Sequence, residues 1–179
     1  MSRATHTIGV AIAVPEPFGA ELTKWRETLG DPLALAIPPH ITLITPMQVD
    51  DDQLASVIDH LELVAKQQWS FDIQLRGTGS FRPVSPVVFV ALAAGISDCE
   101  RVERAVRSGP LSHPLKFNYH PHVTVAHDVP PDVLDRAFDE LADYEALFDV
   151  DEFGLFERGA DGVWRTESEF AFRAPTPAE

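Results

Sequence analysis

Two short segments of this chain, His40-Ile41-Thr42-Leu43 and His122-Val123-Thr124-Val125, carry the same pattern of histidine, apolar residue, threonine, apolar residue. Successive side chains of a strand face opposite ways. Each segment therefore presents an imidazole and a hydroxyl on one face and turns two apolar side chains towards a core. Each copy follows a proline, Pro39 or Pro121, and each precedes a stretch with helical periodicity. The chain's own composition predicts about 0.08 copies of such a pattern by chance. Two copies in like settings predict two related units that bring equivalent residues face to face across a pseudo-two-fold axis.

The rest of the sequence fits that frame. Residues 6–14 alternate as a strand, and Phe18, Leu22, Trp25 and Leu29 take helical spacing before Gly30. Asp50 with Gln53 predicts a helix cap ahead of Leu54, Val57, Ile58, Leu61 and Val64. Strands are expected over 71–81 and 87–95. Ser97 with Glu100 predicts a capping box for a helix reaching about Ser108. Beyond the second motif strand, 122–129, Pro130-Pro131 opens a helix with Val133, Leu134, Ala137, Phe138 and Leu141 on one face. The run LFDVDEFGLFERG reads as one strand, paired with VWRTESEFAF through a turn at Gly159–Gly162. Phe71-Asp72-Ile73 and Gly79-Ser80-Phe81 match Phe148-Asp149-Val150 and Gly154-Leu155-Phe156 in order, the mark of an internal duplication.

Composition narrows the function. The chain has 179 residues, 45% hydrophobic and 23% charged, with a net charge of −14. That acidity argues against a grip on long duplex nucleic acid, which needs clustered Lys and Arg, and leaves room for a short nucleotide. No apolar run has the length to cross a bilayer, so no membrane partner is expected. The N-terminal stretch lacks a signal-peptide cleavage pattern. The single cysteine, Cys99, fits a reducing cytoplasm and is expected to be buried or inert.

Two histidines can divide acid and base work near neutral pH. A phosphate between them has two further oxygens, and Thr42 and Thr124 can each donate a hydrogen bond to one. That arrangement needs no metal and no cofactor. His120-Pro121-His122 with His127 is the alternative, a metal site, but no acidic cluster sits at ligand spacing beside it. Phe81, Phe117 and Tyr119 are candidates for base stacking, and core packing is an equal account of each. Arg82 and Lys116, the nearest cations, are candidates for phosphate contact. Gly77-Thr78-Gly79-Ser80 lacks the Lys and helix of a phosphate loop and reads as a bend or bulge.

The paired motifs, their spacing and the strand order resemble the two-histidine (2H) phosphoesterases, among them the bacterial RNA 2′,3′-cyclic phosphodiesterases also called 2′-5′ RNA ligases. The likeness runs from the first strand to about Phe172. It implies metal-free action on 2′,3′-cyclic phosphates or related 2′-5′ linkages, with His40 as proton donor, His122 as proton acceptor, and Thr42 and Thr124 on the phosphate. Many bacterial members place Arg after the second motif, where this chain has His127. The difference weighs against RNA ligation and tight RNA binding.

The expected protein is therefore α+β: a single bilobal domain over residues 1–174, its two lobes each an antiparallel sheet with outer helices, with a loose tail at 175–179. Its expected activity is hydrolysis of 2′,3′-cyclic phosphate ends of RNA or nucleotides to 2′-phosphates by a cytoplasmic monomer, with 2′-5′ ligation as the reverse chemistry. The rival reading is a binding module for a small nucleotide or RNA end that turns nothing over.

Overall fold

The buried apolar side chains of the central strands show how the sheet is built. In the computed structural model, which describes residues 4–174, β1 (Thr5–Ala13) buries Ile8, Val10 and Ile12 on one face, and β4 (Val87–Ala94) buries Val88, Val90 and Leu92. The motif strands do the same. β2 (His40–Asp50) buries Ile41 and Leu43, and β5 (His122–His127) buries Val123 and Val125, leaving His40, Thr42, His122 and Thr124 half-buried on the opposite face.

Four further strands complete the fold: β3 (Phe71–Ser80), β6 (Glu145–Val150), β7 (Glu152–Arg158) and β8 (Trp164–Ala171). All join one curled eight-stranded sheet in the order β6-β3-β4-β5-β2-β1-β7-β8, with every strand pair antiparallel. The two halves of the sheet meet edge to edge where β2 runs beside β5, with Ile41 opposite Val123.

The helices are α1 (Phe18–Thr28), α2 (Asp51–Ala65), α3 (Ile96–Val106) and α4 (Pro131–Glu140). α2 packs on β2, β7 and β8, and α4 on β3, β4 and β5. α1 lies against β5 and α3 against β2, so each helix that precedes a motif strand braces the strand of the other half. Leu22, Leu61, Val102 and Leu134 carry these contacts into one continuous core. No described helix is long and apolar enough to cross a membrane.

Several expectations change in detail. Asp50 and Gln53 do form the capping box of α2. Ser97 and Glu100 do not cap α3, because Gly95, at φ 93°, turns the chain and serves as N-cap itself. A side chain there would also strike the Asp72 carbonyl oxygen at 2.8 Å. The run LFDVDEFGLFERG is two strands. It breaks at Asp151, β6 goes to one edge of the sheet, and β7 crosses to pair with β1 at the other end. Phe138 in α4 is exposed, so the buried face of that helix is narrower than its spacing implies. The tail at 175–179 lies outside the described residues.

Candidate active site

Both motif strands carry the same irregularity. Ala11 pairs with Thr42 and Val10 with Ile44, skipping Leu43; Phe89 pairs with Thr124 and Val88 with Ala126, skipping Val125. Each strand thus bulges one residue beyond its threonine. A bulge bends the strand and re-aims the side chains beside it. It also explains the paired apolar residues Leu43-Ile44 and Val125-Ala126, both buried. Pro46, which has no N–H to give to a ladder, sits at a second register shift between β1 and β2.

The two imidazoles are held alike. His40 Nδ1 lies 2.7 Å from the Pro38 carbonyl oxygen, and His122 Nδ1 lies 2.7 Å from the His120 carbonyl oxygen. A carbonyl only accepts, so Nδ1 carries the proton in both rings and donates. Each Nε2 is left for whatever enters the cleft. Burial pulls both imidazoles below their ordinary range. The hydrogen bonds to Pro38 and His120 oppose that shift. Positive charge reinforces it: Arg26 acts on His40, while His120 and His40 itself act on His122.

The loops that supply those carbonyls are built by buried ion pairs. Before His40, Arg26 is buried against Asp31 at 3.0 Å and also donates to the Leu33 and Ile37 carbonyls. Before His122, Glu103 is buried and pairs with Arg107, which donates to the His113 carbonyl. Sequence reasoning missed both pairs, because an Arg or Glu on a surface helix is ordinarily solvated. The hint available was Asp31 just past the helix stop at Gly30.

Around this shared frame the halves differ. His122 is packed in aromatic rings: Phe81 meets it edge-on at 4.8 Å between centroids, Phe89 lies at 5.2 Å and His120 at 6.2 Å. Phe89 can lie there because Gly79 is opposite it on β3; a Cβ at Gly79 would sit 2.5 Å from the ring. On the other side, the β1 positions facing the cleft are Gly9 and Ala11. They leave a slot beside His40 and Thr42 that Ile37, Pro38, Phe156 and Trp164 help to wall. A larger groove of about 780 Å³ lies on the His122 side, bounded by residues from 80–85 and 113–120. Thr42 borders both spaces.

The remaining candidates are placed as follows. Thr124 shares the strand face of His122, and Phe81 lines the groove beside it. Tyr119 also lines the groove, but its hydroxyl donates to the Thr42 carbonyl at 2.9 Å and clasps one motif strand to the other's approach loop. Arg82 is turned to Asp135 at 2.8 Å and to the Ser80 hydroxyl. Lys116 and Phe117 stand on the groove with the ammonium 5.5 Å from the ring centre. His127 lies 3.6 Å from its neighbour Asp128. Cys99 is buried, its thiol pushed up to about 12 by that burial. Among the described residues, no three His, Cys, Asp or Glu side chains cluster as a metal ligand set.

Known proteins share this architecture. A Bacillus licheniformis protein provisionally named a phosphoesterase is 30% identical over 148 residues, covering 80% of this chain and 86% of its own. A similarly named Bacillus mycoides protein is 27% identical over 144 residues, 78% of this chain and 82% of its own. Escherichia coli LigT without ligand superposes with a TM-score of 0.70 at 18% identity, over 96% of this chain and 99% of LigT. LigT complexed with NADP+ gives 0.69 at 19% identity, over 94% and 99%. Other LigT structures hold phosphate, 3′-AMP or ATP. The family model of the 2′-5′ RNA ligase superfamily matches residues 14–162, a span that contains both motif strands, and the chain belongs to that superfamily of two-histidine phosphoesterases.

Proposed function

We propose that this chain is a metal-independent cyclic phosphodiesterase that opens a 2′,3′-cyclic phosphate on a nucleotide or RNA end to a 2′-phosphate. His122 takes a proton from water as its oxygen attacks phosphorus in line. The bond from phosphorus to the 3′-oxygen breaks, and His40 delivers a proton to that oxygen. Thr42 and Thr124 hold the two non-bridging oxygens. The same opening by a ribose 5′-hydroxyl in place of water forms a 2′-5′ linkage.

The observation that carries this reading is the matched pair of imidazoles, each with Nδ1–H fixed to a carbonyl and Nε2 free, on neighbouring strands whose next residues, Ile41 and Val123, lie opposite one another. Membership of the superfamily and the nucleotides and phosphate held by LigT support it. Both rings are biased towards the neutral form at rest. An incoming phosphodiester brings a negative charge between them, which favours protonation of one. The acid is thus armed by its own substrate.

The test is a product assay over 2′,3′-cyclic mononucleotides, cyclic-phosphate-ended RNA and 2′-5′-linked dimers, run with EDTA. The expected result is a 2′-phosphate product at a rate the chelator does not change. Saturable binding with no product from any of the three would establish the binding module instead. Activity lost to EDTA and restored by a divalent ion would overturn the metal-free mechanism.

A further inference from the structure

The slot beside His40 has no role in the acid–base chemistry, yet it is a built feature. Its floor is Gly9, on β1 opposite Phe156 of β7. A Cβ at Gly9 would stand 3.5 Å from the Trp164 ring and 3.4 Å from the Ile44 carbonyl oxygen, so a methyl group fits there, in contact with the indole, and a larger side chain would intrude on the slot. The walls are fixed. The backbone N–H of Trp164 donates to the Ala36 carbonyl at 2.8 Å, tying the indole's strand to the loop that carries Ile37 and Pro38. The turn before Trp164 is closed by Gly159 N–H to the Val163 carbonyl at 2.9 Å and by Arg165 on Asp161 at 2.7 Å. None of the residues lining the slot is Lys, Arg, Asp or Glu, and the space ends at His40 and Thr42. Flat apolar walls with an indole on one side suit a flat ring, because aromatic faces stack and a charged group would lose its hydration without a partner.

We propose that the Gly9–Phe156–Trp164 slot is the subsite that selects the substrate, and that it takes a flat, uncharged ring carried by the alcohol whose oxygen departs. The assignment to the departing side rests on the functional reading above, in which His40 protonates that oxygen. Nucleobases belong to this chemical class. The larger groove on the His122 side then serves the attacking group, and Lys116 is the single Lys or Arg among its lining residues.

Phenyl phosphate and methyl phosphate carry the same anionic head and differ in the ring. Their affinities are measured by calorimetry, with tryptophan fluorescence as a second readout, for wild type, Gly9→Val, Trp164→Ala, Phe117→Ala and His122→Ala. Wild type should bind phenyl phosphate about tenfold more tightly than methyl phosphate, the scale of one stacked ring. Gly9→Val, which fills the slot from its floor, and Trp164→Ala should each bring that ratio close to one. Melting temperatures identify a variant that has failed to fold, and either variant alone decides the matter. A ratio that survives Gly9→Val and collapses in Phe117→Ala would place the ring in the groove and overturn the inference. Methyl phosphate that binds His122→Ala as tightly as wild type would show that the anion is not held between the imidazoles. That result would remove the functional reading itself, and the slot's assignment with it.

Discussion

The half of the cleft around His40 and the half around His122 share a bulged strand, a pinned imidazole and an ion-paired approach loop, yet they use the facing strand in opposite ways. Position 11 on β1 and position 89 on β4 both lie opposite a motif threonine; one is alanine, the other phenylalanine. One step further out, Gly154 and Gly79 again occupy like positions, opposite Ala11 and Phe89. Gly79 gives up its side chain so that a protein ring can pack on His122. On the β1 side Gly154 likewise makes way for the Phe156 ring, while Gly9 and Ala11 border the slot beside His40. The same frame therefore yields one histidine buttressed by aromatic packing and one beside an open space. We read this as division of labour: the proposed base is held rigid, and the proposed acid meets variable parts of the substrate.

The largest expected effect tests whether the two histidines are equal in chemistry while unequal in packing. His40→Ala and His122→Ala should each lower turnover by about two to four orders of magnitude. The double variant should be scarcely worse, because both act on one transition state. Stability should separate them: His122→Ala leaves a hole among Phe81, Phe89 and His120 and should cost about 1–2 kcal/mol, and His40→Ala less. Multiplicative losses in turnover, or equal losses in melting temperature, would break the comparison.

Next are the threonines. Thr42→Val and Thr124→Val keep the β-branched shape and remove a donor, so each should raise the barrier by about 2–4 kcal/mol with a smaller change in substrate affinity. Thr42, which borders both the slot and the groove, should show the greater loss. Steady-state kinetics beside melting curves checks this. Full turnover in both variants would remove the hydroxyls from the mechanism.

A smaller effect sharpens the contrast between the strands. Gly79→Ala drives a methyl group into Phe89 and should destabilise by about 1–3 kcal/mol, and it should reduce turnover through the displaced support of His122. Gly9→Ala meets nothing closer than 3.4 Å and should change stability by less than about 0.5 kcal/mol in chemical denaturation. Equal destabilisation would mean that the open slot is not open.

The smallest effect is on pH. kcat/KM reports the free protein, and its bell lies between the two macroscopic pKa values of the pair. Burial and neighbouring positive charge lower both imidazoles from 6.5. Lowering both values moves the whole bell to the acid side, so the optimum of kcat/KM should fall below pH 6.5. The optimum of kcat should lie higher, since bound anion raises the histidine that must be protonated. An optimum of kcat/KM above pH 7 would contradict the environment described for both rings.

What the sequence revealed and what it hid have a common physical origin. The motif strands were legible because alternation is a local property, and His40 with Thr42 needs no distant partner to share a face. The break at Asp151 was hidden because Val150-Asp151-Glu152 holds no Pro or Gly to mark it, and pairing with β3 on one side and β1 on the other separates the two pieces. Phe71-Asp72-Ile73 and Phe148-Asp149-Val150, alike in sequence, are antiparallel neighbours, with Asp72 opposite Asp149. The slot was hidden for a related reason. Gly9, Pro38, Phe156 and Trp164 lie far apart in the chain, and nothing local marks a glycine as the floor of a cavity. Arg26 and Glu103 look like surface residues until the loops they secure are folded over them.

The strand order carries one more consequence, which concerns synthesis. β3 follows the first motif in the chain but lies in the sheet half of the second, and β7 makes the return crossing to flank β1. Neither half can therefore be excised as a unit that folds by itself. On the ribosome, the outer edge of β1 waits from Ile8 until Glu157 has emerged before its ladder closes. At ordinary elongation rates that delay is on the order of ten seconds. For that interval an apolar strand edge stands unpaired, the condition that invites association between nascent chains. A chaperone requirement should therefore end abruptly with translation of β7, and truncation just before Glu152 should yield aggregate where truncation after Ala174, beyond the buried Phe172, yields folded protein.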